Sequence, residues 1–120
     1  MNKLLIALLF TGLAVACTTV MEPTADIPTV SYKNDIAPII ASNCAQSGCH
    51  GAERTEQFNL LSYAELAKLT VPDKPRQSSL YEVIRLYSGE KAMPPKPAEP
   101  LSDAQIGQIY IWILQGATNN

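Results

Sequence analysis

Apolar residues recur at helical spacing in four stretches of this chain, each with its own start and stop signals. In the first, Ile36, Ile39 and Ile40 share one face. Asp35 is placed to cap the start, which puts Pro38 in the first turn, where its missing N–H is harmless, and the helix should end near Asn43. In the second, Ser62 and Glu65 have the spacing of a capping box, Leu66 and Leu69 form the apolar side, and Pro72 and Pro75 close a helix over about Tyr63 to Leu69. Ser79 and Glu82 repeat the box ahead of Leu80, Val83, Ile84 and Tyr87, with Gly89 as the stop. The last helix opens with Ser102 and Gln105, with Leu101 as a possible staple. It presents Ile106, Ile109, Tyr110 and Ile113, is widened by Trp112 and Leu114, and stops at Gly116. No stretch alternates convincingly as a strand. The pattern predicts an all-α fold of about four helices, with the aromatic residues serving packing.

The region before Ser31 has neither period. Lys3 followed by the apolar run Leu4–Phe10 is the profile of an export signal over 1–16, and the run is too short to span a bilayer. The signal ends in Leu13-Ala14-Val15-Ala16-Cys17, which resembles a bacterial lipobox with Cys17 as the lipidated residue, although Ala14-Val15-Ala16 also fits ordinary signal cleavage. Residues 17–30, rich in Thr with Pro23 and Pro28, are expected to be a flexible tether of roughly 20 Å average reach. The domain is expected to occupy 31–120. A formal net charge of −2 argues against a nucleic-acid binder. Some hundred mature residues lie near the lower range for a stable domain, so a large apolar cofactor would help such a chain to fold.

The chemistry concentrates in Cys44-Ala45-Gln46-Ser47-Gly48-Cys49-His50, where two thiols precede the sole histidine of the sequence. A cysteine pair ending in Cys-His is the attachment signature of c-type haem. Each thiol would add to one vinyl group, and the imidazole would become the proximal iron ligand. Four residues separate the cysteines where the usual signature has two, so the surplus must bulge, and Ser47-Gly48 suits a bulge because glycine accepts positive φ. Two other readings stand beside this one. Cys44 and Cys49 would make a small disulfide loop in an exported protein. A zinc site would need ligands that the sequence hardly offers. Further on, Lys91-Ala92-Met93-Pro94-Pro95-Lys96-Pro97 is too proline-rich for helix and would present Met93 on a stiff loop. Met93 either fills a gap in the core or, with the haem motif present, is the candidate sixth ligand. Lys91 and Lys96 either guide a partner electrostatically or are simply solvated.

In this order, the helix into Cys44…Cys49-His50, Phe58-Asn59-Leu60-Leu61-Ser62-Tyr63, the Met93-Pro94-Pro95 loop and the closing Leu101–Ile106 and Trp112-Ile113 segment resemble a small monohaem c-type cytochrome domain. The likeness is greatest to exported cytochrome c-like lipoproteins of environmental, Bacteroidetes-type bacteria. It implies a cytochrome c-like fold wrapped around one covalently attached haem c. It also implies that the first and last helices cross, with Ile36, Ile40, Tyr110 and Ile113 as candidate contacts. The function implied is outer-sphere transfer of single electrons and not catalysis on a substrate. Partners would be redox proteins of the cell envelope, with the protein held at a bacterial membrane, facing the periplasm or the surface, through lipid on Cys17. The competing functions are a haem sensor or peroxidase if Met93 does not bind iron, a non-haem disulfide-stabilised binding lipoprotein, and a subunit of a larger oxidoreductase.

Overall fold

A computed structural model describes residues 27–53 and 59–120. Four α-helices run in order, α1 (Ala37–Asn43), α2 (Tyr63–Ala67), α3 (Ser79–Ile84) and α4 (Asp103–Leu114). A π-helical turn, Tyr32–Ile36, leads into α1, and a 3₁₀ turn, Pro75–Gln77, precedes α3. Among the described residues there is no strand, so the all-α expectation holds, with helices shorter than the periodicity suggests.

The first helical segment starts earlier than expected, and Asp35 is not its cap. Ser31 is the N-cap. Its hydroxyl accepts the Asn34 N–H, and the Asp35 carboxylate turns back to accept the Ser31 N–H at 2.7 Å. The wide π turn lies directly before Pro38, whose ring cannot supply an N–H to the preceding turn, and it accommodates that break in the ladder. α2 and α4 open as expected. Ser62 accepts the Glu65 N–H, and Ser102 and Gln105 form a complete capping box. α3 does not. Its N-cap is Ser78, not Ser79, and no side chain caps it. The Ser78 hydroxyl is buried and is used instead to accept the Val71 N–H at 2.8 Å and donate to the Lys74 carbonyl at 3.1 Å. α3 ends at Ile84, well before Gly89. Tyr87 therefore lies outside it, 61% exposed, with its hydroxyl on the Asp103 carboxylate.

α4 is the spine. It packs against the π turn, the 3₁₀ turn and α3. Ile109, Trp112 and Ile113 are fully buried and meet Ile36 and Ile40 from the first segment and Leu66 from α2 in one core. Two expected members of this face behave otherwise. Tyr110 turns to α3, edge-on to Tyr81 with ring centres 5.1 Å apart, and Leu114 is exposed. Trp112 is flanked by Tyr32 and Tyr63 at 5.9 and 6.5 Å, and its indole N–H donates to the Thr118 carbonyl. The aromatic residues of α4 thus do pack.

Gly116, with φ of +95°, ends α4 and lets the tail return over the core. That tail fastens the start of the domain. Gln115 accepts the Val30 N–H and donates to the Pro28 carbonyl, and the Asn120 backbone oxygen accepts from Lys33 N–H and the Ser31 hydroxyl. These bonds reach back to Val30 and Pro28, within 17–30. The expected signal and Cys17 lie outside the described residues. Among the described residues no helix is long and apolar enough to cross a membrane.

Candidate functional site

The Cys44–Gly51 segment forms a closed loop at the end of α1. Cys44 is the C-cap of that helix, its N–H donating to the Ile40 carbonyl at 2.8 Å. The Gln46 carbonyl then accepts two N–H groups, from Cys49 at 3.0 Å and Gly51 at 3.1 Å, while the Cys44 carbonyl accepts that of His50 at 3.0 Å. The surplus residues bulge as expected. Gly48 sits at φ +79°, and the Ser47 hydroxyl donates to the Glu53 carboxylate. The Gln46 side-chain amide reaches back to the Ser42 carbonyl. Beyond the loop, the Leu60 N–H donates to the His50 carbonyl at 2.8 Å, which fixes His50 from its other side in the chain. The loop returns to α1 because the last carbonyls of a helix have no partner within it and need donors from outside.

Cys44 and Cys49 are both free thiols, but their surroundings differ. Cys44 packs against the core. Burial, with the neighbouring Cys49 charge adding, pushes its thiol up to about 11. Cys49 is exposed.

Met93 arrives from the other end of the domain. Its N–H donates to the Val83 carbonyl at 3.1 Å, and buried Ala92 anchors the residue before it, so the proline-rich loop is pinned to α3. The Met93–Pro94 peptide is cis. Met93 is half-buried, and Lys91 and Lys96 on either side are exposed.

These elements enclose one cavity of about 300 Å³. Cys44, Cys49, His50 and Met93 all line it, so the four residues singled out in the sequence for ligation and attachment are brought together. Leu60, Leu69, Leu80, Val83 and Ile84 supply the apolar wall, and among the described residues the lining holds no Asp, Glu, Lys or Arg. Among the described residues no three His, Cys, Asp or Glu side chains are grouped to hold a metal ion.

Sequence reading left two contributors unassigned. Leu60 is buried against the cavity while Leu61 is 55% exposed, a difference that one step along an extended backbone produces. Gly51 lies directly against the Gln46 carbonyl, and its only signal was a glycine following His50.

The donor set suits an apolar iron macrocycle held through two thiols. Two sulfhydryls of one loop, the imidazole that follows the second, and a thioether from a separate loop all border a wall of leucine, valine and isoleucine. The volume lies at the small end of the usual range for ligand sites, roughly 300–1,000 Å³. No protein-family model, curated protein or solved structure matches the chain.

Proposed function

We propose that the chain is a small monohaem c-type cytochrome, with a cytochrome c-like fold, that carries single electrons in the bacterial cell envelope. The observation that carries this reading is the convergence on one apolar cavity of Cys44, Cys49 and His50 with Met93, which lies on a separate loop after α3. Cys44 and Cys49 would hold the haem covalently, and His50 and Met93 would hold its iron. The bound haem supplies a one-electron couple, ferrous to ferric, without needing a substrate on the iron.

The chain's own part is to position and to exclude. His50 is held through its N–H, which donates to the Cys44 carbonyl, and through its carbonyl, which accepts the Leu60 N–H. Met93 is held through its N–H to Val83. His50 and Met93 together would hold the iron and leave oxygen and peroxide no place to bind. The wall of Leu60, Leu69, Leu80, Val83 and Ile84 would lower the dielectric around a bound haem, which would disfavour the added charge of the oxidised state and raise the potential. A thioether ligand acts in the same direction. Donors and acceptors would be redox proteins of the envelope, with lipid on Cys17 as the membrane anchor.

The test is a denaturing gel stained for haem peroxidase activity, run on protein exported from a host with cytochrome c maturation genes. The wild-type band should stain and the Cys44→Ala, Cys49→Ala double variant should not. Equal staining of the two would end the reading.

A further inference from the structure

We propose that Gly51 is a positioning residue, which sets the separation of the two thiols and the seat of His50 by admitting the Gln46 carbonyl into the space a side chain would fill. What is being positioned rests on the haem reading above; the loop geometry does not.

A four-residue spacer leaves two cysteines free to stand at many separations, whereas attachment to a rigid macrocycle needs one. This loop removes the freedom. The Gln46 carbonyl takes the N–H groups of both Cys49 and Gly51, and the Cys44 carbonyl takes that of His50. Residues 44–46 and 49–51 are thereby stitched side by side, with Ser47 and Gly48 pushed out as a nub. Gly51 decides whether the stitching can close. A Cβ there would stand 2.8 Å from the Gln46 oxygen, 3.0 Å from its carbonyl carbon and 3.1 Å from the Ala45 oxygen. All three are backbone atoms, which cannot swing aside as a side chain does. Gly51 is not among the positive-φ glycines, so its own conformation does not call for glycine; the space does. Gly48 is the reverse case, with positive φ and nothing within 4 Å of a built Cβ. A methyl group at 51 would part Gln46 from Cys49 and Gly51, and carry His50 with it.

The experiment compares wild type, Gly51→Ala and Gly51→Ala with Gly107→Ala, as full chains exported with maturation genes. Gly107 lies within α4, where a Cβ meets nothing within 4 Å, so alanine there strengthens the helix and helps the variant to fold. Far-UV circular dichroism of the purified holoprotein reports whether the helices and core are intact. The pyridine haemochrome spectrum counts thioethers, and a redox titration gives the potential. With a wild-type helical signal, the variants should carry up to about a hundredfold fewer doubly attached haems, the scale of a misplaced reacting group, and the surviving holoprotein should show a shifted potential. Wild-type yield, two thioethers and an unchanged potential would overturn the proposal. So would a core that is lost even with Gly107→Ala, since Gly51 would then serve the whole fold. If wild type itself takes up no haem, the haem reading fails, and the loop is tested by thiol modification of the haem-free chain. An altered ratio of Cys44 to Cys49 rates in Gly51→Ala upholds the positioning, and an unchanged ratio rejects it.

Discussion

The two thiols of the loop are chemically unequal, and this has consequences in the haem-free chain. Cys44 is pushed up to about 11 by burial, with the Cys49 charge adding, while Cys49 is exposed. Alkylation at neutral pH should therefore mark Cys49 first, and the Cys44 rate should keep rising until the pH nears its raised value, because only the thiolate attacks. The sign for stability follows from the same shift. The unfolded chain loses this proton near 9.0 and the folded chain near 11, so in that window the folded state binds more protons. Stability is full below that window, falls across it and levels off above it, a trend that denaturant midpoints against pH would display. For Met93, the expected result of Met93→Ala is retained covalent haem with an iron now open to cyanide or imidazole, read by optical titration. Ligand access equal to wild type would remove Met93 from the iron. The four candidate residues that line the cavity were legible in the sequence through the Cys-Cys-His spacing and the place of Met93 on its proline-rich loop. Gly51 and Leu60 were not, because their roles arise where backbone segments meet, which no spacing encodes.

Among the elements, caps show what a sequence pattern can and cannot decide. Ser62 and Ser102 cap as their spacing to Glu65 and Gln105 indicates. Ser79 has the same spacing to Glu82, yet its neighbour Ser78 takes the cap position, since the turn after Pro72 needs a hydroxyl to satisfy the Val71 N–H. Likewise Asp35 gives way to Ser31 once the helix begins with a π turn. The energetic ranking differs from that of the pattern. Ser78→Ala removes a buried hydroxyl that serves both the Val71 N–H and the Lys74 carbonyl and should cost about 1–2 kcal/mol in urea unfolding. Ser102→Ala, which removes an exposed cap, should cost about 1 kcal/mol. Ser79→Ala should change stability by no more than about 0.5 kcal/mol. A larger loss at Ser79 than at Ser78 would restore the original assignment of the cap.

At the scale of the whole molecule, the all-α class was legible because each apolar face has a 3.6-residue period. The helix ends were less so, because short helices owe their limits to tertiary packing more than to propensity. The fastening of Pro28 and Val30 by Gln115, and of Ser31 to Lys33 by Asn120, joins residues that are close in sequence to neither partner, and no local pattern announces it. The α-helices span only five to twelve residues, and they leave an apolar cavity in the wall between α1, α3 and the Met93 loop. A chain of this size gains from filling such a space. The measurement that bears most directly on the central claim is the intact mass of the exported mature protein under denaturing conditions, without reductant. Addition of two thiols to two vinyl groups loses no atoms, so the account predicts the mass of the mature chain, with any lipid it carries, plus one whole haem. A chain mass lacking only two hydrogens would mean a Cys44–Cys49 disulfide, and would contradict it.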